Sequence, residues 1–129
     1  MNIGLGSKRK TILLIDSDAH ARAGLRTALE IANFTVGEAT DYAEGQRTIQ
    51  RIHPDAVLAD LDLETIDSAT MNNIRHQEAE GSIPFFIISA AADALVGSVD
   101  IRKLGIAGVF LKPADAAVIV RSLTTQLGC

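Results

Sequence analysis

The sequence predicts an α/β domain: a doubly wound, five-stranded parallel sheet in the order 2-1-3-4-5 with helices on both faces. Three observations carry this expectation. Five short apolar runs alternate with five helix-like segments, the pattern of a parallel sheet wound by right-handed crossovers. The first and third runs, Thr11–Ile15 and Ala56–Ala59, are continuous small or apolar stretches, as strands buried on both faces are. The second run alternates Phe34 and Val36 with Thr35 and Gly37 before meeting Glu38, which suits an edge strand. An edge-like second strand fits that order.

The elements follow in order. TILLI opens the sheet and ends in Asp16-Ser17-Asp18, which supplies a carboxylate and a helix N-cap. Ala21, Leu25, Ala28, Leu29 and Ala32 then form a helical apolar stripe. Gly24 interrupts it at a cost of about 1 kcal/mol relative to Ala, so packing is expected to hold that position. The second strand spans Phe34–Ala39. Asp41 caps a second helix with Ala43, Ile49 and Ile52 facing the core, closed by Pro54. The third strand runs into Asp60. A polar, weakly anchored helix is predicted from about Ser68 to Glu80, with Met71, Ile74 and Ala79 as its core face. Phe85–Ile88 is the fourth strand, ending in Ser89. A fourth helix covers about Asp93 to Leu104 and stops at Gly105, a C′ glycine. Ala107–Leu111 is the fifth strand, ending in Lys112-Pro113, and Asp115 caps a last helix carrying Ile119, Val120, Leu123 and Leu127.

Composition narrows the function. A chain of 129 residues with 47% apolar content fits one domain with an ample core. We read residues 1–10 as a flexible tail, where Lys8, Arg9 and Lys10 are solvated, and 11–127 as the domain. A net charge of −4 gives no general attraction to nucleic acid or to anionic lipid. No apolar run reaches the roughly 18–20 residues of a membrane span, and no signal-peptide core opens the chain. The single cysteine, Cys129, excludes an internal disulfide framework and a Cys-based zinc site. His20, His53 and His76 lack ligand spacing and read as surface residues. A reducing cytoplasm suits this composition.

The chain is organised around PDAVLADLDLETID, residues 54–67. Its strand should deliver Asp60 to the carboxyl end of the sheet, where ligands gather in open α/β folds. Taken alone, Asp60 reads as a turn-capping residue. The predicted order changes that. It makes the first and third strands neighbours, so Asp16 and Asp60 share one mouth, with Ser89 and Lys112 closing the fourth and fifth strands at the same end.

Four segments in this order, ILLID at 12–16, PDAVLADLDL at 54–63, FFIISA at 85–90 and FLKP at 110–113, resemble the receiver domain of bacterial response regulators. The resemblance covers about residues 10–127 and implies the flavodoxin-like (βα)5 fold of the chemotaxis-regulator-like superfamily. It further implies that Asp60 is the phosphoacceptor and that Asp16, Asp60 and the main-chain carbonyl of Asp62 hold Mg²⁺. Ser89 and Lys112 correspond to the hydroxyl and the cation that bind the phosphoryl group. The implied partners are a sensor histidine kinase or phosphotransfer protein, and a downstream protein on the face formed by the fourth helix, fifth strand and fifth helix. A homodimer is admitted; direct nucleic-acid binding, membrane association and enzymatic turnover are not implied.

Two departures from the family pattern stand out. Ser17 occupies the place of a second metal-binding acid. A unit-charge pair at ~4 Å is worth about 4 kcal/mol at an effective dielectric of 20 before desolvation, so a fraction of that weakens metal binding at least tenfold. Asp18, Asp62 and Glu64 are the neighbouring carboxylates that would compensate. Glu64-Thr65 and Ser68 also replace the usual Pro-Gly and Gly of the loop after the third strand. The switch pair is Ser89 and Val109, where the family carries an aromatic at the second position. Phe110 faces the other way and does not substitute. These departures motivate an alternative, a pseudo-receiver that binds protein without phosphorylation or with only weak metal dependence. A third reading takes Asp60-Leu61-Asp62 as the DxD of a haloacid-dehalogenase-like phosphatase. It ranks last, because that motif usually sits on a first strand.

Overall fold

A computed structural model describes residues 9–61, 69, 83–90 and 106–128. Within them lie strands β1 (Thr11–Ile15), β2 (Thr35–Ala39), β3 (Ala56–Asp60), β4 (Phe85–Ser89) and β5 (Gly108–Leu111). The helices are α1 (Ala19–Ile31), α2 (Tyr42–Ile52) and the C-terminal α3 (Ala116–Leu127), the fifth helix of the sequence reading. The predicted helices at about 68–80 and 93–104 fall almost wholly outside the described residues, as does most of the N-terminal tail.

The five strands pair in the order β2-β1-β3-β4-β5, all parallel. The alternation in β2 is the reason it lies at an edge. Val36 and Ala39 are buried while Thr35 is exposed, whereas β3 and β4 bury both faces almost throughout.

The pleat sends successive side chains to opposite faces and makes two cores. Ile12, Leu14, Leu58, Phe86 and Ile88 meet Leu29 of α1 and Ile119 and Leu123 of α3 on one side. Leu13, Ile15, Val57, Phe85 and Ile87 meet Ile49 of α2 on the other.

All three described helices begin where the sequence indicated. The side chains of Asp18, Asp41 and Asp115 each accept backbone N–H bonds in the first turn. His53 ends α2 in the left-handed region at φ 48° and places Pro54, which cannot continue the helix, immediately after it.

Several details differ from the expectation. Ala43 is exposed, and Tyr42 takes its place against the core, its ring 6.4 Å from that of Phe85. Ile49 and Ile52 pack there as expected, and Gly45 adds a close contact, since its absent Cβ would lie 2.4 Å from Ile15 Cδ1. Helix and strand therefore approach more closely than any side chain at 45 allows without displacing Ile15. Ala21 is exposed, and no neighbour lies where a Cβ on Gly24 would project, so packing does not hold that glycine. Phe34 is buried but precedes β2, and Ala107 precedes β5.

Candidate functional site

The register Ile15↔Ala59 sets the next residues of β1 and β3, Asp16 and Asp60, side by side at the carboxyl end of the sheet. There β1 leads toward one edge and β3 toward the other, the crevice where doubly wound sheets bind ligands.

Three bonds fix Asp16. Its N–H donates to Ala39 O at 3.1 Å, its Oδ1 accepts from Asp18 N at 2.9 Å, and its carbonyl accepts from Arg22 Nη1 at 2.5 Å. Asp18 is turned to α1, where its Oδ1 accepts from the N–H groups of His20 and Ala21 at 2.9 and 3.2 Å. One oxygen of this carboxylate is therefore committed to the helix cap, which limits how far Asp18 replaces the acid missing at Ser17.

Lys112 arrives from β5. Its N–H donates to Ser89 O at 3.0 Å, tying the ends of β4 and β5, and its Nζ lies 2.6 Å from Asp60 Oδ2. Asp16, Ser17, Asp18, Asp60 and Lys112 thus line one cleft of about 740 Å³, walled on its apolar side by residues including Leu25 and Ile119. Ser89 closes β4 at the same end but is 1% exposed and is not part of the cleft lining. Asp62 and Glu64 lie outside the described residues. Val109 faces the α2 side of the sheet while Phe110 faces the other, where it stacks on Phe86 at 6.2 Å, so both fill core positions. His20 and His53 are exposed, as expected; His76 is not described.

Burial raises the pKa of Asp16, and the negative charge of Asp60 raises it further, against the lowering effects of the Asp18 N–H and of Lys112. The N–H bonds from Ala21 and His20 lower that of Asp18. The bond to Asp60 raises that of Lys112, which keeps its ammonium charged. A carboxylate held back from ionising chiefly by burial, with a second carboxylate beside it, makes a hard-oxygen pair short of positive charge. That donor set fits Mg²⁺, which takes one or two carboxylates and keeps waters or phosphate oxygens for its other positions. Among the described residues no group of three or more acidic, His or Cys side chains is arranged as a metal cluster, and Asp16, Asp18 and Asp60 are the described acids that line the cleft.

A stability prediction follows. An acid with a raised folded-state pKa binds more protons folded than unfolded, so stability falls as pH rises from about 3.8 through the raised value. Asp16→Asn keeps an acceptor for the Asp18 N–H and removes that charge. In metal-free protein it raises the melting temperature at pH 7, and the gain vanishes below pH ~3.8, the ordinary value of the carboxyl. Thermal melts of both proteins across this range check the sign.

The description "Response regulator receiver domain" belongs to the family model that matches residues 12–124. The transcriptional regulatory protein PrrA of Mycobacterium leprae (strain TN) is 28% identical over 106 residues, 82% of this chain and 42% of that protein. The nitrate/nitrite response regulator protein NarL of Escherichia coli (strain K12) is 28% identical over 116 residues, 88% of this chain and 52% of that protein. The chain therefore spans about half the length of the curated relatives it matches. Among solved structures, a response regulator from Thermotoga maritima superposes with a TM-score of 0.76 at 21% identity, covering 95% of this chain and all of that one. A two-component response regulator of the LuxR family from Aurantimonas sp. SI85-9A1 gives 0.72 at 26% identity, covering 94% and 86%. Among the described residues no helix is long and apolar enough to cross a membrane. The family match runs from β1 into α3, across the strand order and the acidic cleft alike, and the chain belongs to the response regulator receiver domains of two-component systems.

Proposed function

We propose that this receiver domain accepts a phosphoryl group on Asp60 from a partner histidine kinase and thereby changes its protein partners. The observation that carries the reading is the Asp60 carboxylate, at the cleft mouth with Asp16 beside it and Lys112 Nζ 2.6 Å from Oδ2. In the transfer a carboxylate oxygen of Asp60 bonds to phosphorus. The bond from phosphorus to the donor breaks, an imidazole nitrogen for a phosphohistidine, and the donor keeps the electron pair. Two anions must approach, so fixed positive charge and donors around the moving group are the main source of acceleration. Lys112 supplies an ammonium already at the acceptor, and Asp16, Asp60 and the main-chain carbonyl of Asp62 would hold Mg²⁺. That ion, when bound, offsets charge on the phosphoryl oxygens. The Ser89 hydroxyl closes on the new phosphoryl group, with Val109 as its partner position in the switch. The downstream protein docks on the face that includes β5 and α3, where Leu111 and Val118 are exposed. A phosphotransfer protein in place of the kinase leaves the chemistry at Asp60 unchanged.

The direct test is intact-mass analysis after incubation with acetyl phosphate and Mg²⁺. The reading requires one phosphoryl adduct; no adduct under conditions that label an ordinary receiver refutes it. Ser17 provides a graded prediction. Ser17→Asp returns an anion to the exposed loop position that lines the cleft and tightens Mg²⁺ binding about tenfold or more, since even part of a close charge pair reaches that size. Amide shifts during a Mg²⁺ titration measure it. The uncharged Ser17 also favours a second reading, a protein-binding module without the chemistry. Under that reading partner binding is indifferent to Mg²⁺, to beryllofluoride and to Asp60→Asn.

A further inference from the structure

We infer that Arg22 is a positioning residue for the acidic cleft: anchored by Glu38, its guanidinium holds the Asp16 carbonyl and thereby aims the Asp16 carboxylate. The effect assigned to it on metal binding rests on the function proposed above; its effect on the loop does not.

β1 ends at Ile15 and β2 at Ala39, so the ladder between them stops as the chain enters the acidic loop. Asp16 is 6% exposed, and a buried carbonyl at a strand end needs a donor. Arg22, in the first half of α1, reaches back and supplies one through Nη1, while its Nε donates to Glu38 Oε1 at 2.8 Å. Lysine cannot reproduce this, because a single ammonium lacks the planar fork that serves two acceptors in fixed directions. Glu38 is held in turn by Arg26, whose Nη1 donates to its other oxygen and whose Nε reaches Glu30 Oε2 at 3.2 Å. An edge-strand acid and two helix cations thus brace the residue that follows β1.

The geometry separates two ways in which an arginine near a cation site can act. Glu38 carries the countercharge, and the contact with Asp16 is to its main chain. Arg22 therefore acts on the carboxylate by fixing the peptide that bears it. The same peptide sets the bond from Asp18 N–H to Asp16 Oδ1, so loosening the brace frees that side chain.

The test compares wild type with Arg22→Ala, Arg22→Lys, Glu38→Ala and, at the outer end of the network, Glu30→Gln. Amide hydrogen exchange at Asp18 is read in metal-free protein against the Leu58 amide, which separates local opening from global unfolding. Mg²⁺ affinity is read by titration. Arg22→Ala should accelerate Asp18 exchange relative to Leu58 and weaken Mg²⁺ binding about tenfold or more, the loss typical of groups that orient metal ligands. Arg22→Lys should recover only part of either, Glu38→Ala should move both in the same direction, and Glu30→Gln should leave both unchanged. Unaltered Asp18 exchange or unaltered Mg²⁺ affinity in folded Arg22→Ala overturns the inference. If that variant fails to fold, Glu38→Ala, which removes both carboxylate acceptors and so unhooks the guanidinium without shortening it, decides on the same criteria. If wild type takes up no Mg²⁺, the metal site of the proposed function fails, and the exchange ratio alone decides the role of Arg22 in the loop.

Discussion

Asp60→Asn abolishes phosphoryl uptake while leaving the fold in place. Asparagine matches aspartate in size, and the Asp60 side chain is 21% exposed at the end of β3. What disappears is the anionic oxygen that bonds to phosphorus and the countercharge of Lys112. The stability change is small. The Asp60–Lys112 pair is partly solvated, with the Lys112 side chain 43% exposed, and pairs of that kind contribute about 0–1 kcal/mol. Relief of the repulsion between Asp60 and Asp16 works in the opposite direction. The expected result is therefore an adduct signal at background in intact-mass spectra after acetyl phosphate treatment, with a thermal melt close to wild type. An adduct retained in Asp60→Asn moves the acceptor to another residue and removes the basis for the function proposed here.

The position of Asp60 was legible because burial on both faces leaves a plain mark in a sequence. Val57 and Leu58 of β3 face opposite helical layers, so both must be apolar, and the first carboxylate after such a run sits at the sheet's end. The polar alternation in β2 marked an edge strand, which fits the observed order that joins Asp16 to Asp60. The N-caps were equally visible, because Asp18, Asp41 and Asp115 act on backbone only two or three residues away.

Less was legible where contacts are long-range or made by small residues. Gly45 carries no hydrophobic signal, yet it sets how closely α2 lies on β1, and it shares its helix face with Tyr42, which packs on the core where Ala43 was expected. The Arg22–Glu38 pair joins a helix to an edge strand sixteen residues on, and no periodicity marks it. An acid on an edge strand opposite a basic helix face is the one hint. Asp18 shows a different obstacle: a carboxylate beside the cleft looks available until the helix cap claims an oxygen. The brace on Asp16 is likewise a product of tertiary structure, although each residue in it is ordinary.

Phe86→Ala lowers stability by about 3–5 kcal/mol, the range for removing a fully buried phenylalanine. The ring is 0% exposed in β4, which pairs with β3 on one side and β5 on the other, opposite Leu58 and Gly108. It stacks on Phe110, and a Cβ on Gly108 would come within 3.2 Å of it, so the ring occupies space that the glycine leaves open. Those neighbours explain why the upper part of the range is expected. Backbone ladders hold β3 and β5 in register, and Gly108 has no side chain to move into the void, so the cavity cannot collapse. A domain of this size is stable by about 5–15 kcal/mol, which makes the loss a large share of the total. Urea unfolding followed by far-UV circular dichroism measures it, the chain having no Trp and a single Tyr. The midpoint should fall with little change in slope. The folded fraction should still accept a phosphoryl group, because Phe86 faces the α1 and α3 core rather than the cleft. A loss under 1.5 kcal/mol would mean that the layer between sheet and helices repacks freely. The close fit of Phe86 over Gly108 would then contribute little to the strand register that brings Lys112 to Asp60.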